Sequence, residues 1–78
     1  MPTVLRIGAY RFYFYSHEQN EPPHIHIDRD NLSVKFWLEP IVLAKNHGFR
    51  GKELRKLELL VTENQTKFIE AWYGYFGN

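Results

Sequence analysis

Two prolines run straight into two histidines in the stretch Glu21-Pro22-Pro23-His24-Ile25-His26-Ile27. In a strand successive side chains turn to opposite faces, so His24 and His26 project one way while Ile25 and Ile27 project the other. One face is titratable and the other is core. Three chemistries suit such a pair. Two neutral imidazoles can share a cation, with Glu18, Glu21, Asp28 or His17 as sources of a further ligand. The sequence singles out none of these four, so no metal or other cofactor is assigned, and His24 and His26 stand only as runner-up metal ligands. Histidine also titrates near neutrality, which suits His24 and His26 to serve as base and acid in metal-independent RNA cleavage. There the 2′-hydroxyl loses a proton and the leaving oxygen gains one, with Arg11 or Lys35 steadying phosphate and Tyr13 orienting the substrate. The third chemistry is plain binding: Tyr13, Tyr15 and Trp37 would stack on bases or anchor a protein partner, beside Glu21.

The elements that must position these residues follow from hydrophobic periodicity. Val4 to Ile7 and Tyr10 to Tyr15 read as two strands joined at Gly8-Ala9, since glycine supplies the positive φ of a hairpin turn. Ser16 to Pro23 is a polar loop, with two prolines blocking regular pairing. His24 to Arg29 is the third strand, and Asp30-Asn31 turns the chain into Ser33 to Leu38, where Val34, Phe36 and Leu38 alternate with Lys35 and Trp37. Glu39-Pro40 is read as a turn into a fifth strand that begins at Ile41-Val42-Leu43. Gly48 ends that strand, and Asn46-His47-Gly48 is read as a left-handed turn. From Lys52 the period changes to 3.6. Leu54, Leu57, Leu60, Val61, Asn64, Phe68, Trp72, Tyr75 and Phe76 form one stripe, which predicts a single long helix over 51–76, with a break near residue 64 as the rival.

The expected fold is therefore α+β, a two-layer domain of four to five antiparallel strands packed on a long C-terminal helix. Its buried face would carry Phe12, Phe14, Ile25, Ile27, Val34, Phe36 and Leu38. The opposite face would carry Arg11, Tyr13, Tyr15, His24, His26, Asp28, Lys35 and Trp37.

Composition sets the bounds. Seventy-eight residues predict a single domain, 1–78, and 17% aromatics compensate for a small core, with Phe12, Phe14, Phe36, Trp37, Phe68 and Trp72 as the expected anchors. Ten Lys and Arg against nine Asp and Glu leave a net charge of +1, so charge alone argues for no nucleic-acid partner. Arg50, Lys52, Arg55 and Lys56 cluster, which by itself describes a solvated helix end. No cysteine is present, which excludes disulfides and thiolate metal sites. With no signal peptide and no apolar run of about 20 residues, the chain is expected to be cytoplasmic, with no membrane partner. A one-helix, one-sheet domain leaves apolar surface that a homodimer or another protein would cover.

Met1-Pro2-Thr3-Val4, the aromatic strand Tyr10 to Tyr15, Glu21-Pro22-Pro23-His24-Ile25-His26-Ile27, Lys35-Phe36-Trp37-Leu38-Glu39-Pro40, Gly48-Phe49 and the ending from Glu63-Asn64 through Ala71-Trp72 to Tyr75-Phe76 together resemble the small bacterial family catalogued as domain of unknown function 4160. The resemblance spans essentially the whole chain, and its matching positions are Tyr13, Tyr15, Glu21, Pro22, Pro23, His24, His26, Trp37 and Trp72. Members are stand-alone small proteins whose genes often lie beside another small protein, an arrangement that has led to their listing as toxin–antitoxin components. The resemblance thus implies action through a small protein partner encoded nearby, in a toxin–antitoxin-like pair with an RNA-directed role. Where other members often place Asp or Asn near the loop start, this chain has His17-Glu18.

Overall fold

The computed structural model describes residues 3–77; Met1 and Pro2 of the amino-terminal motif lie outside the described residues. Five strands follow one another as an antiparallel meander: β1 (Thr3–Ile7), β2 (Tyr10–Tyr13), β3 (His24–Arg29), β4 (Leu32–Leu38) and β5 (Ile41–His47). Alternation is what builds it. Phe12, Ile25, Ile27, Val34, Phe36 and Leu38 are all buried on one face, under Leu57, Val61, Phe68 and Trp72. Phe12 stacks on Phe68 with ring centroids 5.3 Å apart, and each such fully buried side chain contributes roughly 1.5–3 kcal/mol. The turns lie where their residues direct. Gly8 has φ 57°, and Asp30, with φ 55°, opens the turn into β4, a left-handed conformation that aspartate tolerates better than most residues.

The single long helix is corrected to two, α1 (Gly51–Glu63) and α2 (Gln65–Phe76), divided at Asn64. Run straight from residue 51 to 76, one helix would be about 39 Å long. The longest dimension of the molecule is 34 Å. Dividing the run lets α1 lie against β4 and β5 while α2 lies against β3 and β4. Asn64, with φ −114° and ψ 16°, closes α1 by donating from its side-chain Nδ2 to the Leu60 carbonyl at 2.9 Å. Gln65 then ties the start of α2 to the sheet through the Leu38 carbonyl at 2.7 Å. Among the described residues no helix is long and apolar enough to cross a membrane.

Two further departures bear on the site. The second strand stops at Tyr13 rather than Tyr15, because the Tyr15 N–H is taken by a side chain of the loop that follows. Trp37 is half-buried on the face away from the helices, where the alternation of β4 places it, and the Lys35 ammonium stands 4.5 Å over its ring. Asn46 and His47 belong to β5, and the left-handed residue is Gly48, with φ 101°. Asn46 clamps the chain into α1 by accepting from the Phe49 N–H at 3.1 Å and donating to the Phe49 carbonyl at 3.0 Å.

Candidate functional site

The loop between β2 and β3 folds its own acid back onto the sheet. Glu18 Oε1 accepts the Tyr15 N–H at 2.8 Å, and the Glu21 N–H donates to the Glu18 carbonyl at 3.1 Å. Those two bonds hold the Glu18 carboxylate over the start of β3, where its side chain is 12% exposed. His26 Nε2 lies 3.1 and 3.3 Å from the two Glu18 oxygens. Its ring is stacked on Tyr13 at 5.2 Å and met edge-on by Tyr15 at 4.9 Å.

His24 has the expected strand parity but no exposure at all. At the end of β3 it is covered by the Glu18 loop, and Trp72 of α2 reaches its ring at 4.7 Å while Trp37 closes the other side at 5.6 Å. A carbonyl can only accept, so His24 Nδ1 carries the hydrogen it donates to the Pro22 carbonyl at 2.9 Å. The second nitrogen is the anomaly. Nε2 comes within 2.8 Å of Glu18 Oε1, yet the contact is too poorly aligned to be a hydrogen bond, which leaves a fully buried nitrogen without a partner. With Nδ1 as donor, a neutral ring turns the Nε2 lone pair toward a carboxylate. Positive charge between them, either a proton or a cation, is needed to make that contact favourable.

Burial alone would raise the Glu18 carboxyl, but the Tyr15 N–H and the His24 and His26 rings, when they present N–H groups to it, outweigh burial and hold the group below its ordinary value. The part His24 plays there is that of a ring carrying positive charge, not of one presenting its lone pair. Burial likewise lowers His26, against the opposing pull of Glu18. A carboxylate and an imidazole that favours its neutral form are the states in which both side chains bind metal. One ligand atom each from Glu18, His24 and His26 lie within 4.8 Å of one another. Of the four acids and bases that might have completed the pair, the loop supplies Glu18. Glu21 instead stands 3.7 Å from His24 Nδ1, held there by Lys35 Nζ at 2.7 Å. His17 is exposed beside Tyr15.

The residues expected to support RNA cleavage are gathered on the same face but are otherwise engaged. Arg11 donates to Thr3 Oγ1 at 3.0 Å, lies over the Tyr13 ring at 4.3 Å and stands 4.0 Å from Asp28. Tyr13 is buried and donates its hydroxyl to Asp28 at 2.9 Å. Burial, reinforced by Tyr15 and Asp28, raises its pKa well above the ordinary phenol value, so it remains a donor. His24 presents no surface to a substrate, which leaves His26 as the member of the pair that can exchange protons outside the core.

The rung that holds these groups runs Tyr13, His26, Lys35, Lys45 across β2 to β5. Lys45 was not anticipated there, and neither was His47, which pairs with Ser33 on the next rung. Counting alternately from Leu43, opposite buried Phe36, places Lys45 and His47 on the helix side. A bulge between Leu43 and Lys45 reverses that count, as one inserted residue does. No single-chain pattern announces it. The outcome is a cleft of about 240 Å³ bounded by Tyr13, Tyr15, His26, Lys35, Lys45 and His47.

A family model described as "Domain of unknown function (DUF4160)" matches residues 9–73. No curated protein and no solved structure matches the chain.

Proposed function

We propose that this chain, which belongs to the DUF4160 family, is a metal-binding domain in which Glu18, His24 and His26 hold one divalent transition-metal ion. The observation that carries the reading is the buried, unpartnered Nε2 of His24 facing the Glu18 carboxylate. Leaving such a nitrogen unsatisfied costs about 1–3 kcal/mol. A cation accepts the lone pair and neutralises the acid at once. Two imidazoles and one carboxylate form a set that zinc uses where it keeps a position open for water, acting as a Lewis acid and lowering the pKa of that water toward about 7. Tetrahedral ligands at about 2.1 Å are about 3.4 Å apart. Glu18 already lies 2.8 Å from His24 Nε2 and 3.1 Å from His26 Nε2, so the adjustment the ion would require is between the two imidazole nitrogens, which lie within 4.8 Å. The Pro22 carbonyl is the outer partner that fixes which nitrogen of His24 faces the ion.

Protein purified under chelator and dialysed against zinc or cobalt should take up one ion per chain by elemental analysis. Cobalt should also show the visible bands of a four-coordinate centre. Glu18→Gln and His26→Ala should abolish uptake, whereas His17→Ala should leave it intact. Folded protein that takes up no stoichiometric zinc, cobalt, nickel or manganese, or takes it up regardless of Glu18 and His26, ends the reading.

A further inference from the structure

Like charges directly opposite each other on adjacent strands destabilise a sheet. Lys35 and Lys45 are such a pair, brought face to face on the sheet by the β5 bulge. Lys35 is neutralised by Glu21 at 2.7 Å. Lys45 has no carboxylate partner among the described residues, and it lines the cleft that His26 shares with the Glu18–His24–His26 cluster. With the regular alternation that the bulge interrupts, both Lys45 and His47 would lie on the helix side, so the inserted residue is what brings these two side chains to the cleft. Bulges commonly re-aim side chains beside active sites.

We infer that this cleft binds a phosphoryl group beside the metal centre, with Lys45 as its principal charge partner, His47 as a second donor and Tyr15 as a flanking ring. The inference rests on the metal reading for what lies next to the phosphoryl group, while the cleft's own cations are independent of it. A terminal phosphate monoester and the phosphodiester of a nucleic-acid strand share the chemistry this site recognises. Two unesterified phosphoryl oxygens suit two donors, the Lys45 ammonium and a His47 ring N–H, and Tyr15 offers a surface to whatever ring or base the phosphate carries. Tyr13 and Arg11 are already committed to Asp28, so they shape the wall rather than meet the ligand.

The test uses the intact chain, ¹⁵N-labelled, with zinc and with chelator, titrated with phenyl phosphate and separately with a uridine dinucleotide. Saturable amide shifts confined to residues 33–35 and 45–47 are expected. Lys45→Gln should weaken binding about tenfold or more, the loss of one charge-assisted contact, while Lys52→Gln, at a residue lining a separate pocket, should not. Tighter binding of the monoester would mark a terminal phosphate as the ligand, and tighter binding of the dinucleotide a strand. Shifts indifferent to Lys45 in protein that still holds one zinc per chain overturn the inference and leave the metal reading standing. Should zinc not bind, the metal reading falls alone; the chelator arm then decides, and Lys45-dependent phenyl phosphate binding there still sustains the cleft.

Discussion

Replacing His24 by leucine separates a metal ligand from a structural histidine. His24 is fully enclosed by Trp72, Trp37 and His26, so an apolar side chain of similar size suits the site. In chelator the change loses the bond to the Pro22 carbonyl, worth roughly 0.5–1.5 kcal/mol, and removes a buried unpaired nitrogen that costs about 1–3 kcal/mol. Imperfect packing takes back up to about 1.5 kcal/mol. The metal-free variant should therefore lie within about 2 kcal/mol of the wild type. Zinc reverses the comparison. At a free concentration a hundredfold above Kd, binding stabilises the wild type by about 2.7 kcal/mol, which in a domain of this size raises Tm by roughly 11–22 °C. His24→Leu should gain almost none of that. Thermal unfolding followed by circular dichroism, in EDTA and in zinc, reads both quantities. The opposite pattern would refute the reasoning: a variant destabilised by about 3–5 kcal/mol in EDTA, as when one partner of a buried ion pair is removed, beside a wild type that ignores zinc.

Two further outcomes test the frame that holds the site. Glu53 anchors α1 by accepting from Arg29 Nε and Nη2 at 2.7 and 2.8 Å and from the Tyr10 hydroxyl at 2.5 Å, and Arg29 first, then Tyr10, hold its carboxyl at about 2 against an ordinary 4.5. The unfolded chain therefore takes up this proton first. The stability difference between wild type and Glu53→Gln should be constant above about pH 4.5 and vanish as pH falls through about 2, and urea midpoints that differ equally at pH 7 and pH 2 would contradict it. Gly48, with φ 101°, should resist substitution: Gly48→Ala is expected to cost about 1–2 kcal/mol in urea unfolding through backbone strain. The added methyl would meet only the end of the Leu32 side chain, which can swing aside, so a cost below about 0.5 kcal/mol would mean the turn itself relaxes.

Much of the sheet is legible in the chain because a half-buried strand must alternate, and Phe12, Ile25, Ile27, Val34, Phe36 and Leu38 do so without interruption. What alternation cannot register is an inserted residue, and the β5 bulge therefore moved Lys45 and His47 to the face that matters. The helix fails for a related reason. A 3.6-residue stripe continues across a break when the break drops no residue from the face, so Leu57, Val61, Phe68 and Trp72 read alike in one helix or two. Only the dimensions of the sheet decide between them. Parity placed His24 with His26 correctly, but depth is a tertiary quantity, set by how far Trp72 and the Glu18 loop reach around the strand end. The carboxylate that joins the histidine pair was equally hidden, since Glu18, Glu21, Asp28 and His17 are all near in sequence and the Tyr15 N–H bond is what brings Glu18 over the strand.

A small domain has little stability to spend, on the order of 5–15 kcal/mol in all. Set against that, an imidazole enclosed by two tryptophans with one nitrogen unbonded is an expensive way to fill space that leucine or phenylalanine would fill at a gain. The cost makes sense only if something returns it. A second proton on His24 would return part, by pairing with Glu18, but His26 Nε2 already donates to both oxygens of that carboxylate and the Tyr15 N–H to one of them. A metal ion uses the same three side chains without competition for the acid's oxygens, because it draws both imidazoles and the carboxylate to one point. On the proposed reading, the close but unbonded approach of His24 to Glu18 is the contact that a shared cation would satisfy.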